Sequence, residues 1–130
     1  MKTTKPYRSP IGRARGLGSA KHGVHHFWMQ RVTAIALVPL TLWFVASVVQ
    51  LPAASYAVAQ HWVASPTVAV ALSLYLFALL YHSMLGVQVV IEDYISGEGM
   101  KLAVLLLSKF IHIVVAAAGI FAVLSIALGK

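Results

Sequence analysis

His82, Asp93 and Tyr94 are the residues of this sequence with both the chemistry and the placement to act. They lie at the end of a long apolar run, His82-Ser-Met-Leu-Gly86-Val-Gln-Val-Val-Ile-Glu92-Asp93-Tyr94. A neutral imidazole can ligate a metal, and a phenol beside a carboxylic acid can donate a hydrogen bond and relay a proton. The step of eleven residues from His82 to Asp93 returns to nearly the same helix face, about 16 Å along the axis. One face therefore carries a candidate metal ligand inside the apolar run and an acid–phenol pair at its edge. Ionisable groups at such depth mark functional sites. The layout suits electron transfer between a buried cofactor and a membrane-soluble carrier.

The residues alone leave two readings of His82 open. Imidazole is the usual axial ligand of haem iron, and it is also a hydrogen-bond partner between membrane helices. Tyr75, His82, Gly86 and Asp93 share one stripe, at spacings of seven, four and seven. Gly86, one turn from His82, removes bulk where a flat macrocycle would lie, or where two helices pack closely. Low-spin haem takes two axial ligands, and His112 is the other histidine deep in an apolar run. A haem held between His82 and His112 needs a helix that starts near Lys101. Packing of His112 against Ser108, one turn away, is simpler and leaves the second ligand to another protein chain; Lys109 then snorkels to the interface. Arg31 and His25 stand at the membrane boundary, placed for haem propionates or for lipid headgroups alike.

Spans must hold these side chains. The 130 residues are 60% hydrophobic and 10% charged, where a soluble domain carries about 25% charged residues. Three apolar runs, 32–50, 67–91 and 102–129, each reach the roughly 20 residues that cross a bilayer. The expected fold is an all-α integral membrane protein with three transmembrane helices, spanning about 29–51, 66–93 and 101–128. A basic, largely extended tail over 1–20 precedes the 21–130 membrane anchor, and Ser19 is placed to cap the first helix. The apolar run is too long and too far along for a secretory signal peptide.

Charge sets the expected orientation. Lys2, Lys5, Arg8, Arg13, Arg15, Lys21 and Arg31 all precede or open the first span, and the connection 51–66 has no Lys or Arg. The positive-inside rule puts the N-terminus in the cytoplasm, or on the matrix side in an organelle, and the C-terminus outside. Asp93 and Tyr94 then face the cytoplasm. Trp28, Tyr56 and Trp62 are placed for interfacial belts, Pro39 for a kink in the first span, and Ser96-Gly-Glu-Gly99 for the turn between the last two helices. The basic tail lacks interleaved aromatics, which argues against nucleic acid and for a topology signal that attracts anionic lipid. The sequence has no cysteine, so iron–sulfur ligation, disulfides and thiolate chemistry are excluded within it.

Two segments resemble the small membrane-anchor subunit of succinate:quinone oxidoreductase, proteobacterial type. They are Gly23-Val-His25-His26-Phe27 followed by Arg31-Val-Thr33-Ala-Ile35, and His82-x-x-x-Gly86 followed by Asp93-Tyr94. Three helices and an inside N-terminus fit the same family over roughly residues 17–128. The resemblance implies that His82 is one axial ligand of haem b, the other coming from a second, cytochrome b-type anchor subunit. It implies Arg31 and His25 near the haem propionates, and Tyr94 with Asp93 at ubiquinone. His26 stands where some members carry an acidic residue, and His112 matches no assigned role.

The resemblance further implies an anchor that is not catalytic alone, with FAD and iron–sulfur clusters in partner flavoprotein and iron–sulfur subunits. The expected location is the bacterial inner membrane, or else the mitochondrial inner membrane. The same residues fit the anchor of a quinol:fumarate reductase. A non-redox scaffold or transporter component is the alternative from a different class, and it carries no haem spectrum.

Overall fold

The computed structural model describes residues 21–51 and 55–129. The tail over 1–20, with its basic residues and Ser19, lies outside the described residues, as does Lys130. Three long helices carry the apolar runs: α1 (Lys21–Gln50), α3 (Pro66–Tyr94) and α4 (Glu98–Ala127). Each is long and apolar enough to cross a membrane. Pro39 sits inside α1. Its missing N–H and ring would cost about 3 kcal/mol in a soluble helix, but membrane helices tolerate such a site.

Between α1 and α3 the sequence suggested only a connection bracketed by two prolines. The structure corrects this: a nine-residue helix, α2 (Tyr56–Ala64), occupies it. Pro66 explains where α2 stops. The residue before a proline is driven out of the helical region, and Ser65 is extended, with φ −63° and ψ 127°. Pro66 then opens α3, where its missing N–H costs nothing. What holds α2 in place is Trp62. Its ring stacks on Trp43 of α1 with centroids 6.1 Å apart. Trp62 is thus half-buried rather than a free interfacial marker, while Tyr56 is exposed.

The turn after α3 is also tighter than expected. Ile95 is extended and α4 already begins at Glu98, so Glu98 and Gly99 are helical. Glu98 in the first turn complements the positive end of the helix. Lys101 Nζ donates to the Glu92 carbonyl at 3.0 Å, which ties α4 to the end of α3.

The helix α3 is central. It packs against α1 on one side and α4 on the other. The short α2 rests on α3 and α4. The tightest core lies at that end, where Ala69, Leu72 and Val123 are buried among Trp43, Phe44, Trp62 and Leu76. At Gly119 a Cβ would come within 3.3 Å of Leu76 Cδ1, so a side chain there would require Leu76 to give by a few tenths of an ångström. Large apolar residues such as Ile35, Val49 and Phe121 are more than two-thirds exposed. In water that would be a severe liability; in a bilayer they face lipid or other membrane helices.

Candidate functional site

The α3 stripe that begins at Tyr75 faces α1. Tyr75 stacks on Phe44 at 5.1 Å. Two turns further on, His82 meets two polar side chains of α1. Its Nδ1 lies 3.0 Å from Thr33 Oγ1, and its Nε2 lies 3.4 Å from Gln30 Nε2. Thr33 is only 6% exposed and is the buried polar residue of the described chain. One turn beyond His82, a Cβ on Gly86 would find Gln30 Nε2 at 3.7 Å. The glycine therefore opens space without being forced by contact with α1.

Two clefts lie along the α1–α3 seam, one against His82 and one a turn away at Gly86. One, of about 430 Å³, is bounded by His82 and the apolar residues Leu37, Val38 and Leu42. The other, of about 470 Å³, is bounded by His26, Gln30, Arg31 and Gly86. The cleft against His82 is largely apolar, and the one at Gly86 carries polar side chains on its rim. The Arg31 guanidinium lies 4.8 Å from the centre of the Phe27 ring, a cation–π contact that directs it along the helix surface.

Two atoms at the polar cleft are buried with no hydrogen-bond partner among the described residues: His26 Nε2 and Gln30 Oε1. An unsatisfied buried polar atom costs about 1–3 kcal/mol. These two atoms leave hydrogen-bonding positions open at the edge of the cleft. Among the described residues no three His, Asp or Glu side chains converge to hold a bare metal ion. His82 is instead a single imidazole that bridges α3 to Thr33 and Gln30 of α1 beside an open cleft.

Arg31 and Gly86 line one cleft of the α1–α3 seam, and His82 lines the other. His25 lines neither. His25 is exposed, and its neighbour His26, 100° around the helix, lines the cleft in its place. Asp93 and Tyr94 are at the C-terminal end of α3, with Tyr94 85% exposed. His112 belongs to a different contact. Its Nδ1 donates to the Ser108 carbonyl at 2.7 Å, and its Nε2 accepts from Ser83 Oγ at 3.2 Å. It is held at the α3–α4 seam, while His82 is held at the α1–α3 seam.

Sequence reasoning missed His26, Gln30 and Thr33 as members of the site. A signal was present. They recur at i, i+4 and i+7, so three polar residues share one face of an otherwise apolar helix.

Three apolar helices with a polar site set between two of them define a multi-pass integral membrane protein, its site at a helix seam rather than on a loop. The chain belongs to the family described as succinate dehydrogenase/fumarate reductase transmembrane subunit, whose pattern matches residues 5–123. It is similar to the succinate dehydrogenase hydrophobic membrane anchor subunit of Rickettsia bellii, 36% identical over 120 residues, 92% of this chain and 96% of that one. The subunit of the same description from Paracoccus denitrificans is 31% identical over 123 residues, 95% of both chains. The succinate dehydrogenase membrane anchor subunit of Reclinomonas americana is 33% identical over 104 residues, 72% of this chain and 80% of that one.

Proposed function

We propose that this chain anchors a succinate:quinone oxidoreductase in the membrane and supplies half of its haem b site and part of its ubiquinone site. The observation that carries the reading is His82: a half-buried imidazole against a largely apolar cleft at the α1–α3 seam, with two orphaned polar atoms, His26 Nε2 and Gln30 Oε1, on the facing helix α1. His82 provides one axial ligand through Nε2. A cytochrome b-type partner subunit provides the other, because His112 is engaged elsewhere. When bound, haem b supplies a one-electron carrier in the hydrocarbon region.

The other residues of the seam have separable tasks. Gly86 leaves room beside the helix for a flat macrocycle. Arg31 offers a planar fork of donors to propionates, and His26 adds a donor whose buried nitrogen otherwise has no partner. His25, exposed one residue away, is placed for lipid headgroups or for the outer edge of the same group. At the end of α3, Tyr94 donates a hydrogen bond to a quinone carbonyl. Asp93 passes protons from water, because a quinone that takes two electrons also takes two protons. The high exposure of Tyr94 supports this role, since nothing among the described residues covers it. The iron–sulfur and flavoprotein subunits dock at that end, which orients the N-terminus and Tyr94 toward the cytoplasm of a bacterial inner membrane.

The test is purification of the complex from the native membrane through this chain. The expected preparation contains flavin, a low-spin b-type absorption spectrum and succinate-dependent ubiquinone reduction. A preparation with flavin and quinone reduction but no haem would remove the role given to His82. One with neither flavin nor haem would remove the function altogether.

A further inference from the structure

We infer that Thr33 is a positioning residue that fixes the tautomer and the ring orientation of His82, so that Nε2 presents its lone pair to iron. The inference rests on the reading of His82 as a haem ligand and goes beyond it, to what makes that imidazole ready.

The argument is one of proton count. Thr33 Oγ1 lies 2.7 Å from the Met29 carbonyl and 3.1 Å from the Gln30 carbonyl. Neither carbonyl can donate, and the Met29 contact is the shortest Thr33 makes, so the single hydroxyl proton is assigned to the backbone. It is the back-bonding arrangement open to a threonine inside a helix. The 3.0 Å contact between Thr33 Oγ1 and His82 Nδ1 then needs a proton from the other side. His82 must carry hydrogen on Nδ1, and in the neutral ring Nε2 is left with a free electron pair.

The second neighbour is compatible with that tautomer. Gln30 has its amide nitrogen 3.4 Å from His82 Nε2, and an amide nitrogen only donates. That amide occupies the position an iron would take, so Gln30 turns away when Nε2 ligates, while the Thr33 contact to Nδ1 stays in place.

Its consequences are chemical. A ligating histidine whose second N–H is hydrogen-bonded is a better electron donor and is held in one ring orientation. Here the acceptor is a hydroxyl whose own proton is anchored on the backbone of α1, buried at 6% exposure. The chain Met29 carbonyl, Thr33 hydroxyl, His82 imidazole links the ligand on α3 rigidly to α1. Removing the acceptor makes the imidazole a weaker donor. The ferric state, which depends more on donation, loses more than the ferrous state, so the haem potential rises.

The experiment compares Thr33→Val, which keeps the shape and deletes the hydroxyl, with Thr33→Ser, which keeps the hydroxyl, in the assembled complex. Readouts are haem per flavin, the low-spin electron paramagnetic resonance g values and the haem midpoint potential. Thr33→Val is expected to retain haem with altered g values and about a tenfold loss of ferric over ferrous preference, a rise of about 59 mV. Thr33→Ser is expected to match the wild type. Comparing Thr33→Ala with Thr33→Ser repeats the test at smaller side-chain volume, should valine disturb assembly. A Thr33→Val complex with wild-type g values and potential overturns the inference, and so does Thr33→Ser shifted as far as Thr33→Val. A His82→Ala complex that keeps its bis-imidazole signal would instead sink the haem-ligand reading and leave the two failures distinct.

Discussion

Gly86 gives the sharpest separation between a structural and a cofactor role, because the two predict opposite consequences of adding a methyl group. A Cβ at this position would meet only Gln30 Nε2, at 3.7 Å, an ordinary van der Waals distance. The α1–α3 pair therefore accepts Gly86→Ala without shifting. Replacing a mid-helix glycine by alanine stabilises a helix by about 0.5–1 kcal/mol. Judged by the protein alone, the variant should be as stable as the wild type or slightly more so. The same methyl projects into the polar cleft of about 470 Å³ a turn from His82. If a macrocycle lies there, the variant overpacks its bed, at about 1–3 kcal/mol. That corresponds to roughly 5- to 150-fold faster loss of haem, at 1.36 kcal/mol per tenfold. The assay is transfer of haem from the purified complex to a soluble haem scavenger, with thermal unfolding run in parallel. Gly86→Leu should lose haem faster still. Wild-type haem retention in Gly86→Leu would refute the cleft as a haem bed. Destabilisation by Gly86→Ala with haem affinity intact would show that the glycine serves helix packing.

Tyr94→Phe removes only a hydroxyl from a side chain that is 85% exposed, so assembly and haem content should persist. Losing one hydrogen bond to the quinone should cost about 1–3 kcal/mol, so ubiquinone reduction should fall roughly 5- to 150-fold. Succinate oxidation with an artificial acceptor that bypasses the quinone should be unchanged, and wild-type rates in both assays would move the site elsewhere. Orientation is read by labelling single cysteines introduced at Ser55 and Lys130. Both should react from outside the cell, and protection of Lys130 would contradict the expected placement of the C-terminus.

The long helices were legible because crossing a bilayer demands about 20 apolar residues in a row, a requirement written directly in composition. The short α2 was not. A nine-residue helix gives too little pattern, and its place is fixed by Trp62 on Trp43, a contact between helices that residue spacing does not reveal. The site divided in the same way. His82 and Gly86 were readable because both lie on α3, where spacing alone puts them on one face. The partners of His82 depend on how α1 is rotated against α3, which spacing cannot give. That rotation brought His26, Gln30 and Thr33 inward and left His25 exposed. The stripe on α1 could have been noticed, but not which stripe of α3 it would meet.

The central claim is that His82 ligates the haem iron of the assembled complex and His112 does not. Low-temperature electron paramagnetic resonance of the oxidised complex tests it most directly, in the wild type, His82→Ala and His112→Ala. The account predicts a low-spin bis-imidazole signal in the wild type and in His112→Ala, and its loss or conversion to high spin in His82→Ala. A bis-imidazole signal that survives His82→Ala, or that vanishes in His112→Ala, would contradict it.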